Sequence, residues 1–283
     1  ALVVVGDIDV DQIESKVKEF YSEIPANENP KERPTYEVPN NEEPIVAVAT
    51  DKEAQNSIVN VYFKHDYAKP EDKDIYYYIN SLASRLYTNM FNERLNELVQ
   101  KENPPFIFAF NYYGNFAGNK DAYALGAYTN NDVEYGLKSL LAENERVRRH
   151  GFTHGELERA KTDMLRSLEK EFKEKDQQQN RSLAMQYASH FLSNSPTPGI
   201  DYEFELAKKL LPQVPLEQIN KLSKKWIQDE NMVITVTGPE KEDIKIPSEE
   251  RVLEVLKQVK TSDIEPYVDE VSNEPLVADA PKG

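Results

Sequence analysis

Cysteine is absent from this chain. That excludes disulfides, thiolate nucleophiles and cysteine-held zinc, while leaving the redox compartment open. Glycine is scarce, with ten residues in 283, and none of them forms a phosphate-cradling loop or a Gly-x-Ser-x-Gly nucleophile elbow. No apolar run approaches the ~20 residues that cross a bilayer, and no secretory leader pattern is visible. Basic residues are the minority, 34 against 50 acidic ones, for a net charge of −16. A nucleic-acid backbone or an anionic lipid surface needs clustered Lys and Arg, so neither is an expected partner. The charge itself reads as solubility.

What the chain does contain is material for a core: 39% hydrophobic residues, with 16 tyrosines and 11 phenylalanines. The first residues, Ala1 to Val5, read as the middle of a buried strand without an initiator Met, as in a piece of something longer. Residues 1–25 read as strand, turn and helix, with Ile13, Val17 and Phe20 at helical spacing. Residues 26–43, spaced by Pro30, Pro34 and Pro39, read as an extended linker. Residues 44–240 read as one α+β domain, a mixed, mostly antiparallel sheet packed against several helices. Residues 241–283 read as an acidic linker with one helix at about 248–259, its remainder clinging to a surface through Tyr267 and Leu276. A polar loop is expected between Asp66 and Asp74, around Pro70. The strand pattern of Asn231–Gly238 echoes Ala1–Gly6, as in a repeated unit that closes on the same strand.

The densest stretch is Leu86 to Tyr113: an amphipathic helix, a charged turn ending at Pro104-Pro105, and an aromatic strand. Strict alternation would put Phe106, Phe108, Phe110 and Tyr112 on one face. That strand can pack in the core or accept an extended peptide along its edge. Arg94, near the end of the helix, can hold a peptide carbonyl or carboxylate, or pair with Glu93 or Glu97. Of the four histidines, His150 and His154 have zinc-ligand spacing. Gly151 and the helix cap at Thr153 interrupt the helix that spacing requires, and no Glu lies between the two imidazoles to act as a base. His65 and Asp66 are adjacent on a strand and point to opposite sides. No metal ligands or catalytic groups are therefore assigned. Thr153-His154-Gly155-Glu156 reads as a capping box.

Four pieces together resemble the insulinase/pitrilysin-type zinc peptidases, the group that includes mitochondrial processing peptidase. VVVGDIDVDQIESKVKEFYSEIP resembles the segment that closes their catalytic domain. MFNERLNELVQKENPPFIFA, GFTHGELERAKTDMLRSLEKEF and ENMVITVTGPEKE resemble the second domain of the bacterial, periplasmic branch, in the family's order. The resemblance implies a second, non-metal-binding domain with the tail of the preceding catalytic domain before it and a linker toward a following domain after it. It implies a zinc metalloendopeptidase as the full-length protein, with peptide or unfolded polypeptide as substrate, in a bacterial periplasm or cell envelope. The family's zinc is held by a His-x-x-Glu-His helix in the first domain and a downstream Glu, none of which is in this chain, so the fragment alone is expected to be inactive. The family's transition-state Arg and Tyr fall in a segment like this one. Here Arg94 is the nearest Arg and Phe106 stands about where the Tyr would be, which makes these two the substrate-binding candidates. Arg94→Ala is then expected to lower full-length activity modestly without unfolding. The rival reading is a catalytically inactive homologue acting as a binding or scaffold subunit.

Overall fold

The computed structural model describes residues 2–25, 27–32, 34, 36–67 and 73–270. The expected loop around Pro70 and the tail bearing Leu276 lie outside the described residues. The sheet has five strands: β1 (Ile45–Asp51), β2 (Ser57–Asp66), β3 (Phe106–Ala117), β4 (Lys120–Thr129) and β5 (Met232–Pro239), in the order β1-β5-β2-β4-β3. Only β1 and β5 run parallel; the other three pairings are antiparallel. With the helices this makes the α+β fold expected.

The helices cover one face. Val59, Val61 and Phe63 of β2, Tyr123, Leu125 and Ala127 of β4, and Ile234 and Val236 of β5 alternate into the core. There they meet α2 (Ile75–Val99) and α3 (Val133–His150). The stripe Leu82, Leu86, Met90 and Leu95 of α2 is buried, as its helical spacing predicts. Asp74 and Asp132 cap α2 and α3 by accepting from the Tyr77 and Tyr135 amides. Gly151 follows α3 at φ 72°, a conformation that favours glycine, and turns the chain into α4 (His154–Lys173). Thr153 and Glu156 form the reciprocal capping box. After α5 (Asn180–Ser193), α6 (Ile200–Leu210) packs on α4 and α7 (Leu216–Trp226) on α2 and α3.

Three sequence expectations change. Leu2–Val5 forms no strand, and Leu2 and Val4 are exposed. A strand must share its N–H and C=O groups with a neighbour, and none among the described residues runs beside it. Helix α1 (Val10–Tyr21) then follows its Asp9 cap, with no buried residue. Second, α8 (Glu249–Thr261), read as part of an acidic linker, inserts Val252, Val255, Leu256 and Val259 into the core against α3 and β1. Third, Phe106 does not share a face with Phe108, Phe110 and Tyr112. The register steps from Phe106↔Thr129 to Phe108↔Tyr128, so two residues of β3 advance against one of β4. This bulge turns Phe106 into the core and the next three aromatics outward.

Candidate functional site

Two regions carry the unusual side chains. The first is the sheet face opposite the helices. On β3, Phe108, Phe110 and Tyr112 stack in succession, with ring centroids 5.7 and 6.2 Å apart. Tyr128 of β4 lies 6.3 Å from Phe108, and Tyr62 of β2 lies 5.1 Å from Phe116. Phe110 faces Gly126 across the ladder, and a Cβ there would sit 2.5 Å from the ring. Glycine at that position lets the ring lie flat against the sheet. Phe108 is 51% exposed, and β3 is an edge strand, so its outer backbone groups border an aromatic surface. Burial, and the nearby Tyr112 hydroxyl, push the Tyr62 phenol above its ordinary pKa, so it stays a neutral donor at physiological pH.

The second region is a buried charge cluster at the junction of α2, α3 and α4. Arg94 is 2% exposed. Its Nε and Nη2 donate to the two carboxylate oxygens of Glu156 at 2.6 and 2.9 Å. Nη1 donates to Glu143 Oε1 at 3.2 Å and Nη2 to the Gly151 carbonyl at 3.0 Å. The guanidinium is sandwiched between Phe152 and Tyr267, 4.9 and 4.1 Å from their ring centroids. Burial alone would favour the neutral form, but the two carboxylates outweigh it and raise the Arg94 pKa. Glu156 Oε2 also accepts from the Thr153 amide at 2.8 Å, so one carboxylate caps α4 and grips Arg94.

Both substrate-binding candidates are buried. Phe106 is 0% exposed inside the core, carried there by the bulge. Arg94 pairs with Glu143 and Glu156, not with Glu93 or Glu97, and four of its N–H bonds point at its own chain. The residues that take over the outward role, Phe108, Phe110 and Tyr112, were visible as an alternating run; only the bulge hid which face they share. His150 ends α3 with Nε2 2.7 Å from the Ile264 carbonyl, while His154 begins α4 beyond Gly151. The two do not share a helix face. Among the described residues no group of three or more His, Asp or Glu side chains is arranged to hold a metal ion. Among the described residues no helix is long and apolar enough to cross a membrane.

Residues 1–164 match the family model of the peptidase M16 inactive domain. A zinc protease PQQL-like protein of Arabidopsis thaliana is 29% identical over 226 residues, 80% of this chain and 21% of that protein. The probable zinc protease PqqL of Escherichia coli K12 is 24% identical over 235 residues, 80% of this chain and 24% of that protein. The chain thus spans about a fifth to a quarter of the curated relatives it matches. In structure it is similar to the first half of the periplasmic protease PqqL from Escherichia coli, with a TM-score of 0.78 at 20% identity. That match covers 93% of this chain and 56% of the other.

Proposed function

The chain belongs to the peptidase M16 inactive-domain family, and on that premise we propose that it forms one wall of the peptide-binding chamber of a zinc-dependent endopeptidase, the zinc being held elsewhere in the full-length protein. The observation that carries this reading is the one-sided sheet. Helices cover one face, and the other presents Phe108, Phe110 and Tyr112 beside a free strand edge. Aromatic faces bind unfolded chain through apolar contact, and a strand edge adds sequence-independent backbone hydrogen bonds. Substrate contact then falls to these three residues, with Phe106 on the opposite, core side of the same strand. In this reading residues 1–25 close a preceding catalytic domain, 26–43 link the two, and 44–240 together with α8 form the second domain. The remainder leads toward a following domain. Location in a bacterial periplasm or cell envelope follows the Escherichia coli protein; the plant relative carries the family beyond bacteria, so fractionation of the source cells is the check.

The test uses the full-length protein and this chain side by side. The full-length protein should hold stoichiometric zinc and cleave a quenched peptide, and Phe108→Ser with Phe110→Ser should raise KM several-fold while leaving zinc content unchanged. This chain alone should do neither. Tight stoichiometric zinc or hydrolysis by the isolated chain defeats the proposal. A full-length protein that lacks an upstream His-x-x-Glu-His motif and cleaves nothing would be the scaffold subunit instead.

A further inference from the structure

Beyond α8 the chain does not trail away. From Ser262 to Glu270 it crosses the C-terminal end of α3 and the N-terminal end of α4 without regular secondary structure. It is gripped at two levels. Its backbone carbonyls are read by one helix end: Arg149 Nη1 donates to Ser262 O at 2.8 Å, His150 Nε2 lies 2.7 Å from Ile264 O, and Arg146 donates to Glu265 O. These three residues sit three and four apart, on one face of the last turns of α3. Its side chains are read separately. Ile264 is buried in the core. The Tyr267 ring lies on the Arg94 guanidinium, and its hydroxyl donates to Glu97 Oε1 at 2.8 Å. The Asp269 carboxylate takes both Nη atoms of Arg159, at 3.0 and 3.1 Å, and the Thr153 hydroxyl at 3.3 Å. That carboxylate lies at the start of α4, where the helix dipole favours negative charge. Gly155 makes the close approach possible, since a Cβ there would stand 2.3 Å from Asp269 Oδ2.

The geometry points to a peptide-docking groove across α2, α3 and α4 that takes an extended Ile-x-x-Tyr-x-Asp segment, filled here in cis by residues 264–269 of the chain itself. Carbonyl donors, an aromatic seat and a carboxylate seat follow one another in the order an extended peptide needs. Two cavities of about 520 and 330 Å³ share Arg94 and Glu97, the two residues that Tyr267 covers, so the groove continues on both sides of the seated ring. The segment acts as a releasable strap: seated, it fixes where the chain leaves the domain; displaced, it frees that path and uncovers Arg94. This inference does not depend on the peptidase reading.

The test uses the whole chain. Proteolytic cleavage within residues 262–270 should be at least tenfold slower than in a Tyr267→Ala, Asp269→Asn double variant, while hydrogen exchange in the sheet stays unchanged. A fluorescent peptide of sequence SDIEPYVDE should bind the double variant saturably and bind the unaltered chain at least tenfold more weakly. The same peptide with its first Asp, the counterpart of exposed Asp263, changed to Asn should bind as well as the original. Changing the Asp that corresponds to Asp269 should abolish binding. Equal cleavage of both chains within residues 262–270, or no binding to a double variant whose sheet amides are protected, overturns the proposal.

Discussion

Two short helices lie outside the central sheet region in sequence, and they end in opposite situations. α1 and α8, of 12 and 13 residues, both begin with a side-chain cap and both carry apolar residues at helical spacing. α8 buries four of them, and its rim is tied by Arg251 to Glu134 and by Lys260 to Asp229, at 2.6 and 2.9 Å. α1 buries none, and its Phe20 is 76% exposed. Helix α5 is similar to α1, with Met185, Phe191 and Leu192 open to solvent. Apolar periodicity records that a helix has a side suited to a partner. Whether the partner belongs to the same packed body depends on the tertiary contacts, and in α8 it does.

The contrast should be widest where the C-terminal segment is anchored. Arg94→Ala leaves Glu156 buried without its cation, leaves Glu143 with Arg146 alone, and removes the seat of Tyr267. Breaking one side of a buried ion pair costs about 3–5 kcal/mol, so the denaturation midpoint should fall steeply. Burial thus predicts a loss of stability where the sequence predicts a modest activity loss in a stable protein; an unchanged midpoint would mean the cluster contributes nothing to folding. A direct comparison of the two helices comes next. Leu256→Ala in α8 should cost about 2–5 kcal/mol, whereas Phe20→Ala in α1 should stay within about 0.5 kcal/mol. Equal losses in thermal or chemical denaturation would abolish the distinction drawn here.

The smallest effect is electrostatic. The Arg251 hydrogen bond holds Glu134 below its ordinary pKa, and Lys260 with Arg148 does the same for Asp229. A carboxylate with a depressed folded-state pKa contributes stability above its unfolded value, about 3.9–4.3, and loses it as pH falls below that. Glu134→Gln should therefore flatten the acid limb of the stability profile slightly. Glu14→Gln in α1, whose carboxylate Lys18 likewise holds below its ordinary pKa but in a more exposed, solvent-screened pair, should flatten that limb less. An identical response from both variants would show that the rim pair of α8 contributes no more than the exposed pair of α1.

Much of this was legible because the signals were local. The capping box at Thr153, the stripe on α2 and the alternation in β2 are set by neighbours within a few residues. Tyr267 was also expected to cling to a surface, and it does so on Arg94. What escaped was non-local. Glu156 lies 62 residues from Arg94, and no spacing rule joins them, so the adjacent Glu93 and Glu97 looked like the natural partners. Asp269 meets Arg159 across 110 residues. The face of Phe106 was hidden for another reason: a bulge leaves no mark in an alternating run, because alternation assumes that every residue advances the ladder by one step.

That bulge has a further consequence. β3 keeps time in two beats, and the step between Phe106 and Phe108 shifts the phase once, near its start. One strand thereby supplies aromatic rings to both sides of the sheet from a single uninterrupted rhythm. Deleting Ile107 would restore the beat with Phe106 still in the core and the three outer rings still outside, because Phe108 would then follow Phe106 directly against Tyr128. One off-beat residue thus keeps the core ring apart from the open aromatic face; were Ile107 to pair in register, Phe106 and the three outer rings would share one side.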